Sequence, residues 1–393
     1  MQEELDRCFD YVIYCRNKLL EMINNYPKEH NGEYEKESER NKRFRAFRNS
    51  EEWQTQLPEH VVDCAISRLA DSFSRVIAHN KKIKESKSKE KFWKVRTKSK
   101  KTSKKSFTVS QNRILKGSYR PKGKNFTFGI TLSRTSQVKS KYRMMEITEL
   151  PKGLAEGTGR VVSATIFKRW GEYYVSFCME ILQKKEYPET FGLIGVDPGL
   201  KTTLTLSNGV KISYPDKIKK LIKKAEYYQS RMDKRYDKTK KVQSKRYYRA
   251  RAKFWRTMKH IACLKKDWIH KITTKLANHY KIVKWEDVEE AKLERSNKIK
   301  SKKLRKALHN ANWFKIKMIL NQKLKKRGGE LILVPCLEAS TQKCSECGYI
   351  RKGEEKLTLN DRTYVCPHCG YTEDRDINAA KNIAKYRVDE ANS

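Results

Sequence analysis

The chain has 393 residues, with 89 lysines and arginines against 46 aspartates and glutamates, a formal charge of +43. Such a surplus needs a polyanionic partner, and phosphate backbones bound through counterion release fit it best. The composition argues against a membrane span, since no apolar run reaches about 18 residues, and Glu3, Glu4 and Asp6 argue against an ordinary signal peptide.

Length alone suggests about two or three domains. Hydrophobic content is only 37%, but the apolar residues fall in periodic blocks, so cores under charged surfaces are expected. Residues 1–80 read as helical. Leu5, Cys8, Phe9, Val12, Ile13, Leu19, Leu20 and Ile23 share one helix face. A polar stretch from about 26 to 50 breaks the pattern. Pro58 suits a first helical turn, and Val62, Ala65, Ile66, Leu69, Phe73, Val76 and Ile77 make a second stripe.

Residues 81–124 hold 18 basic and two acidic residues, with Phe92, Trp93, Phe107 and Tyr119 interleaved. Cations mixed with aromatics suit phosphates and bases together, which nominates Lys98, Lys100, Lys101, Lys104 and Lys105 as nucleic-acid contacts. Residues 125–183 alternate as short strands, with a hairpin turn at Gly171, and suggest a small barrel. Leu193 to Asp197 is a buried strand ending in a carboxylate, and Thr202 to Leu206 returns beside it.

Residues 217–280 contain neither glycine nor proline and predict one or two long basic helices. Arg246, Arg249 and Arg251 are further phosphate candidates there, and Tyr227, Tyr247, Tyr248 and Trp255 either stack on bases or pack inward. Lys281 to Glu286 reads as another strand ending in an acid. A basic stretch at 292–306 precedes a helix at about 312–327, which Gly328 and Gly329 terminate before a strand from Glu330.

Cys344, Cys347, Cys366 and Cys369 form two Cys-x-x-Cys-Gly-Tyr knuckles 18 residues apart, a spacing that holds one structural Zn²⁺. His368 lies inside a knuckle whose four ligand positions cysteines already fill, so it is read as a non-ligand; His270 is read as core or surface. The other six cysteines are scattered, so no disulfide framework is expected and a reducing compartment is. That reads as cytoplasm, beside the nucleoid in a prokaryote, or as the nucleus in a eukaryote. Asp376, opening the last helix, joins Asp197 and Glu286 as a third acid. Three acids brought to one sheet edge repel one another unless divalent cations intervene. Two Mg²⁺ ions, about 4 Å apart, would then clamp a phosphodiester for hydrolysis.

Gly195-Val-Asp197-Pro-Gly, Ile282-Val-Lys-Trp-Glu286-Asp287-Val, Ser340-Thr-Gln-Lys-Cys344, the paired knuckles and Asp376-x-Asn378-Ala-Ala-x-Asn382-Ile closely resemble the TnpB family. The resemblance implies a transposon-encoded, RNA-guided DNA endonuclease related to compact type V CRISPR effectors. Its partners would be a guide RNA and double-stranded target DNA, with no membrane, and it would act as a monomer or homodimer. The implied fold is a multidomain mixture of α/β and β. A helical recognition lobe would span 1–95 and a wedge-like β-barrel 96–190. An RNase H-like RuvC core with long basic helices would span 191–340, with a zinc ribbon at 341–372 and the last RuvC segment at 373–393. Asp197, Glu286 and Asp376 would be the metal ligands, and Asp287 and Asp374 would not. Members of the family usually begin with a barrel strand, whereas this chain begins in a helical pattern. A guide-directed repressor of the same descent and a guide-independent nuclease are the alternatives, and retention of all three acids disfavours the repressor.

Overall fold

The computed structural model describes residues 2–29, 37–50, 59–86, 91–100, 103–115, 118–135, 138–182, 186–240, 242–288, 301–335, 340–358 and 361–386. The chain divides into two compact units, Met1–Lys184 and Lys185–Ser393. Pro58, Lys101 and Cys336 lie outside the described residues.

In the first unit, α1 (Gln2–Glu29) and α3 (Glu59–Glu85) carry the two predicted stripes and pack on each other. The polar stretch between them is not a break throughout, because α1 runs on to Glu29 and α2 (Glu37–Ser50) follows. That segment lacks a continuous apolar stripe, which hid the helix from a periodicity reading; it inserts Phe44 beside Leu19, Leu20 and Leu69.

Next come β1 (Ser106–Ser110), β2 (Pro121–Lys122), β3 (Asn125–Thr135), β4 (Val138–Ile147), the one-turn α4 (Lys152–Ala155), β5 (Gly159–Arg169) and β6 (Glu172–Ile181). They form two antiparallel sheets, ordered β1-β5-β6 and β2-β3-β4. Gly171 turns the β5–β6 hairpin at φ 83°. Phe9 and Val12 of α1 share one core with Phe107, Phe128, Ile130 and Ile166 from the strands. Phe107 is fully buried and Tyr119 is packed against the same core, so two of the four aromatics assigned to nucleic acid are interior instead. Phe92 and Trp93 are exposed.

The second unit is built on β7 (Leu193–Asp197), β8 (Leu204–Leu206), β9 (Lys211–Ile212), β10 (Ile282–Asp287) and β11 (Glu330–Pro335). The sheet order is β11-β10-β7-β8-β9. β7, β10 and β11 run parallel, and β8 returns antiparallel to β7. The long helical region resolves into α5 (Asp216–Asp233) and α6 (Lys245–His279), which pack together. Ser244 caps α6, its hydroxyl accepting from the Tyr247 amide at 3.2 Å. The helix expected at about 312–327 is preceded by another: α7 (Lys302–Ala311) and α8 (Trp313–Lys325) meet at Asn312, which adopts φ 56°. Asn tolerates that left-handed conformation, so the chain turns there without glycine. β12 (Thr363–Val365), β13 (Thr372–Asp374) and α9 (Arg375–Lys385) complete the unit.

The sheet's two faces differ. Ile194, Val196, Val283 and Trp285 point to one side and are buried with Ile269, Leu276, Ile316 and Leu320 of α6 and α8. Gly195 and Lys284 point to the other, by strand alternation. α9 covers that second face, and its backbone comes so close that a Cβ on Gly195 would lie 2.1 Å from the Ala380 carbonyl oxygen and 2.6 Å from the Ala384 nitrogen. Lys284 caps the far end of α9, its Nζ donating to the carbonyls of Ala384 at 2.8 Å and Tyr386 at 2.6 Å. Replacing Gly195 with alanine should therefore push the helix off the sheet and cost about 1–3 kcal/mol or more. Urea denaturation checks this, and a variant as stable as the parent would refute the close approach.

Candidate metal centre and cysteine cluster

The register of β7 and β10 places the first two acids. Val196 pairs with Trp285, and the next residues along these parallel strands are Asp197 and Glu286. Asp197 ends its strand and Glu286 is the last residue but one of the adjacent strand, about 4.8 Å away, and by alternation they share the face of Gly195 and Lys284. α9 brings the third. Ala380 lies over Gly195; moving from Gly195 to Asp197 advances about 6.6 Å. Moving back from Ala380 to Asp376 along the helix covers about 6 Å. α9 runs opposite to the strands, because its C-terminal end is the one that Lys284 caps. Its N-terminus with Asp376 therefore arrives at the strand ends with Asp197 and Glu286.

Electrostatics report the same convergence. The Asp197 carboxyl is pushed up to about 8, first by burial and then by the negative charges of Glu286 and Asp376, with a smaller push from Asp374 and an opposing one from Arg375. A partly buried carboxyl facing like charges is what an oxygen-ligated divalent cation relieves. The side chains are otherwise engaged. Glu286 Oε1 accepts from the Ser340 hydroxyl at 2.9 Å. Asp376 Oδ1 faces the Arg375 guanidinium, with Nη2 at 3.3 Å.

The two neighbouring acids have different work. Asp287 turns to the opposite face and pairs with Lys317 of α8 at 2.7 Å. Asp374 is the N-cap of α9, accepting from the amides of Asp376 and Ile377, and pairs with Lys211 at 2.6 Å. Capping and pairing hold its carboxyl below the ordinary carboxylate value despite burial. Sequence reasoning named the three acids but missed Arg375, Lys284 and the task of Gly195. No local pattern marks Lys284 and Gly195, since each acts across elements far apart in the chain.

The cysteine cluster is locally encoded. In each knuckle the first cysteine's amide donates at 2.8 Å to a tyrosine carbonyl, that of Tyr349 or Tyr371. Gly348 and Gly370 adopt φ 77° and 71°, which lets the chain double back. Among the described residues, the four cysteines are the group of three or more potential ligands whose donor atoms lie within 4.8 Å of one another. The acids lie in electrostatic range without meeting that spacing. Cys344 and Cys369 sulfurs are 3.8 Å apart, and Cys347 and Cys366 sulfurs 3.6 Å. Zinc–sulfur bonds of about 2.3 Å at tetrahedral angles put sulfurs about 3.8 Å apart, so the cluster fits one zinc ion and is far too open for disulfides. His368 stacks on Tyr349, with ring centroids 5.7 Å apart. Two asparagines one helical turn apart tie the first knuckle to α9. Asn378 donates to Lys343 O at 2.7 Å and accepts from the Ser345 amide at 2.9 Å, and Asn382 donates to Lys343 O at 2.6 Å.

The phosphate candidates divide. Lys98, Lys100, Lys104, Arg246, Arg249 and Arg251 are exposed. Lys98 is held below its ordinary value by burial and by the charges of Arg16, Arg68 and Arg75. Lys105 is half-buried and pairs with Asp10 at 3.7 Å. Tyr227, Tyr248 and Trp255 are exposed, whereas Tyr247 lies between Tyr236 and Tyr248. No helix among the described residues is long and apolar enough to cross a membrane.

Residues 313–383 match the profile described as Cas12f1-like, TNB domain, and residues 176–297 match OrfB_IS605, described as a probable transposase. A putative RNA-guided DNA endonuclease of Streptomyces pristinaespiralis is 33% identical over 238 residues, 60% of this chain and 54% of that protein. The putative RNA-guided DNA endonuclease InsQ of Escherichia coli K12 is 26% identical over 237 residues, 58% of this chain and 56% of that protein. These matches make the chain similar to the TnpB family. It spans about half the length of these two relatives. In fold it resembles Cas12f1, solved by cryo-EM in an sgRNA–target DNA complex. The TM-score is 0.60 at 14% identity, over 96% of this chain and 81% of that one. The mixed α/β multidomain fold expected from the sequence is thus shared with Cas12f1.

Two outcomes test the site. Asp197 in the folded chain keeps a proton that the unfolded chain has lost between about pH 4 and 8, so the stability it contributes is full at acid pH and disappears as pH rises through about 8. Without added divalent cation, the melting temperature should fall over that range, and Asp197→Asn should flatten the fall; equal slopes would contradict the acid cluster. Cys344→Ser should abolish zinc retention, read by metal analysis, and lower the melting temperature of the second unit. A fully zinc-loaded variant would exclude Cys344 as a ligand.

Proposed function

We propose that the protein is an RNA-guided DNA endonuclease in which Asp197, Glu286 and Asp376 ligate Mg²⁺ and the four cysteines ligate a structural Zn²⁺. The carrying observation is the strand register that sets Asp197 and Glu286 side by side, with Asp376 opening the helix that rests on Gly195. The sheet order, with β7 and β10 central and β8 antiparallel, supports an RNase H-like RuvC core. The two antiparallel sheets of the first unit support the wedge-like barrel. Relatives named as RNA-guided DNA endonucleases and likeness to a protein solved with sgRNA and target DNA support the substrate and the guide.

When bound, a pair of Mg²⁺ ions would supply a hydroxide nucleophile and stabilise the departing 3′ oxygen. The chain's residues supply the setting. Asp197 and Glu286 sit on adjacent parallel strands, which fixes their spacing through backbone pairing. Asp376 opens a helix whose N-terminal dipole favours anionic groups at that edge. The exposed Lys98, Lys100, Lys104, Arg246, Arg249 and Arg251 supply phosphate contacts by charge rather than base identity. Sequence choice falls to guide pairing, and the protein holds the heteroduplex by its backbone. The repressor alternative is not favoured, since all three acids remain.

Asp197→Ala should lower cleavage of a guide-matched DNA at least about 1,000-fold, a loss of the size expected when a main electrostatic element of a site is removed. Binding of the same DNA, followed by filter retention, should persist. Cleavage at the parental rate would sink the assignment.

A further inference from the structure

Ser340 stands between β11 and the first knuckle, in the run that leads to Cys344. Its hydroxyl donates to Glu286 Oε1 at 2.9 Å, joining residues 54 positions apart. Two elements hold the serine in place. Asn382 of α9 donates to the Ser340 carbonyl at 2.9 Å and to the Lys343 carbonyl at 2.6 Å. Asn378, fully buried, donates to the same Lys343 carbonyl at 2.7 Å, next to the knuckle cysteine. The serine is thus fixed both to the helix that bears Asp376 and to the knuckle that bears Cys344. A cavity of about 260 Å³ opens beside it, lined by Glu286, Ser340, Lys343, Ser345, Asn382 and Lys385. The hydrogen bond lies on the wall of that cavity, not in a sealed core.

We propose that Ser340 is a positioning residue for Glu286: its hydroxyl holds one carboxylate oxygen so that the other is presented to metal, and the cysteine cluster sets the serine's place through Asn382. The inference rests on Glu286 being a metal ligand, as proposed above. Glutamate has three side-chain torsions, so a carboxylate at a strand end samples many orientations unless a second group fixes one. Ligating carboxylates are commonly held in this way, and losing the outer partner typically weakens metal binding about 10- to 100-fold. The arrangement makes the cysteine cluster part of the acid site's geometry and not only a clip for the chain.

Mn²⁺ serves as the probe. The full-length, zinc-loaded chain, freed of nucleic acid, is titrated with Mn²⁺ and free ion is read by electron paramagnetic resonance. Ser340→Ala should weaken Mn²⁺ binding about 10-fold or more, while zinc content and melting temperature stay at parental values. Ser340→Thr, which keeps the hydroxyl, should restore binding. The Mg²⁺ concentration for half-maximal cleavage should rise by the same factor in Ser340→Ala, with the rate recovered at saturating Mg²⁺. Asn382→Ala should weaken Mn²⁺ binding too, and its effect should not add to that of Ser340→Ala, because both act through one hydroxyl. Parental Mn²⁺ affinity in Ser340→Ala would overturn the positioning role, as would loss of zinc or of melting temperature, which would make the serine structural. Additive effects would overturn the route through Asn382. Parental affinity in Glu286→Gln would instead overturn the ligand assignment itself.

Discussion

The second unit depends on one close approach: the backbone of α9 resting on β7 at Gly195. A Cβ there would meet backbone atoms at 2.1 and 2.6 Å, and backbone, unlike a side-chain tip, does not swing aside. The absence of a side chain therefore sets how near the helix lies to the sheet. That distance sets how near Asp376 comes to Asp197, residues separated by most of the unit's length. Lys284 fixes the other end of the same helix, so α9 is held both in depth and along its axis. The acid edge thus follows in part from a glycine and a lysine that place the helix.

α9 also uses a second side. Ala379, Ala380 and Ile383 are buried, and small residues at 379 and 380 suit a helix that lies nearly in contact with a sheet. Asn378 and Asn382, four residues apart, line up on one face and bind backbone groups of the first knuckle. One short helix thus joins the sheet, the third acid and the cysteine cluster. Displacing it would disturb all three together, which explains why the acid and the asparagines sit within a seven-residue stretch.

What the sequence disclosed follows the range of the interactions. The knuckles were legible in full because each closes within six residues, by a cysteine-to-tyrosine backbone bond and a left-handed glycine. Strands ending in Asp197 and Glu286 were legible because an apolar run stopped by an acid is a local signal. Their adjacency was not, since register is a property of pairing. Phe107 was misread because it lies in a cationic run, while strand alternation turns it inward against Phe9. The 37–50 helix was missed because its face is almost wholly charged and its burial comes from Phe44 and Phe47. The α7–α8 bend was missed because asparagine, not glycine or proline, makes it. Lys265, buried and donating to Asn310 beneath that bend, carried no signal at all.

A chain with 89 basic residues must also keep its acids from being neutralised indiscriminately. It does so by direction. Asp287, one residue beyond Glu286, faces the other side of the sheet and meets Lys317. Asp374, two residues before Asp376, turns back to cap its helix and meets Lys211. Glu373 meets Lys381. Each of these carboxylates is matched by a lysine within 3.0 Å. Asp197 faces other acids, and Arg375 partly offsets their charge there. Alternation along a strand and the change from strand to helix at residue 375 thus sort acids only one or two residues apart into lysine-paired and clustered sets. The sorting needs no change of residue type, only a change of face, and it leaves the negative potential concentrated at the one edge where strand ends and helix start meet.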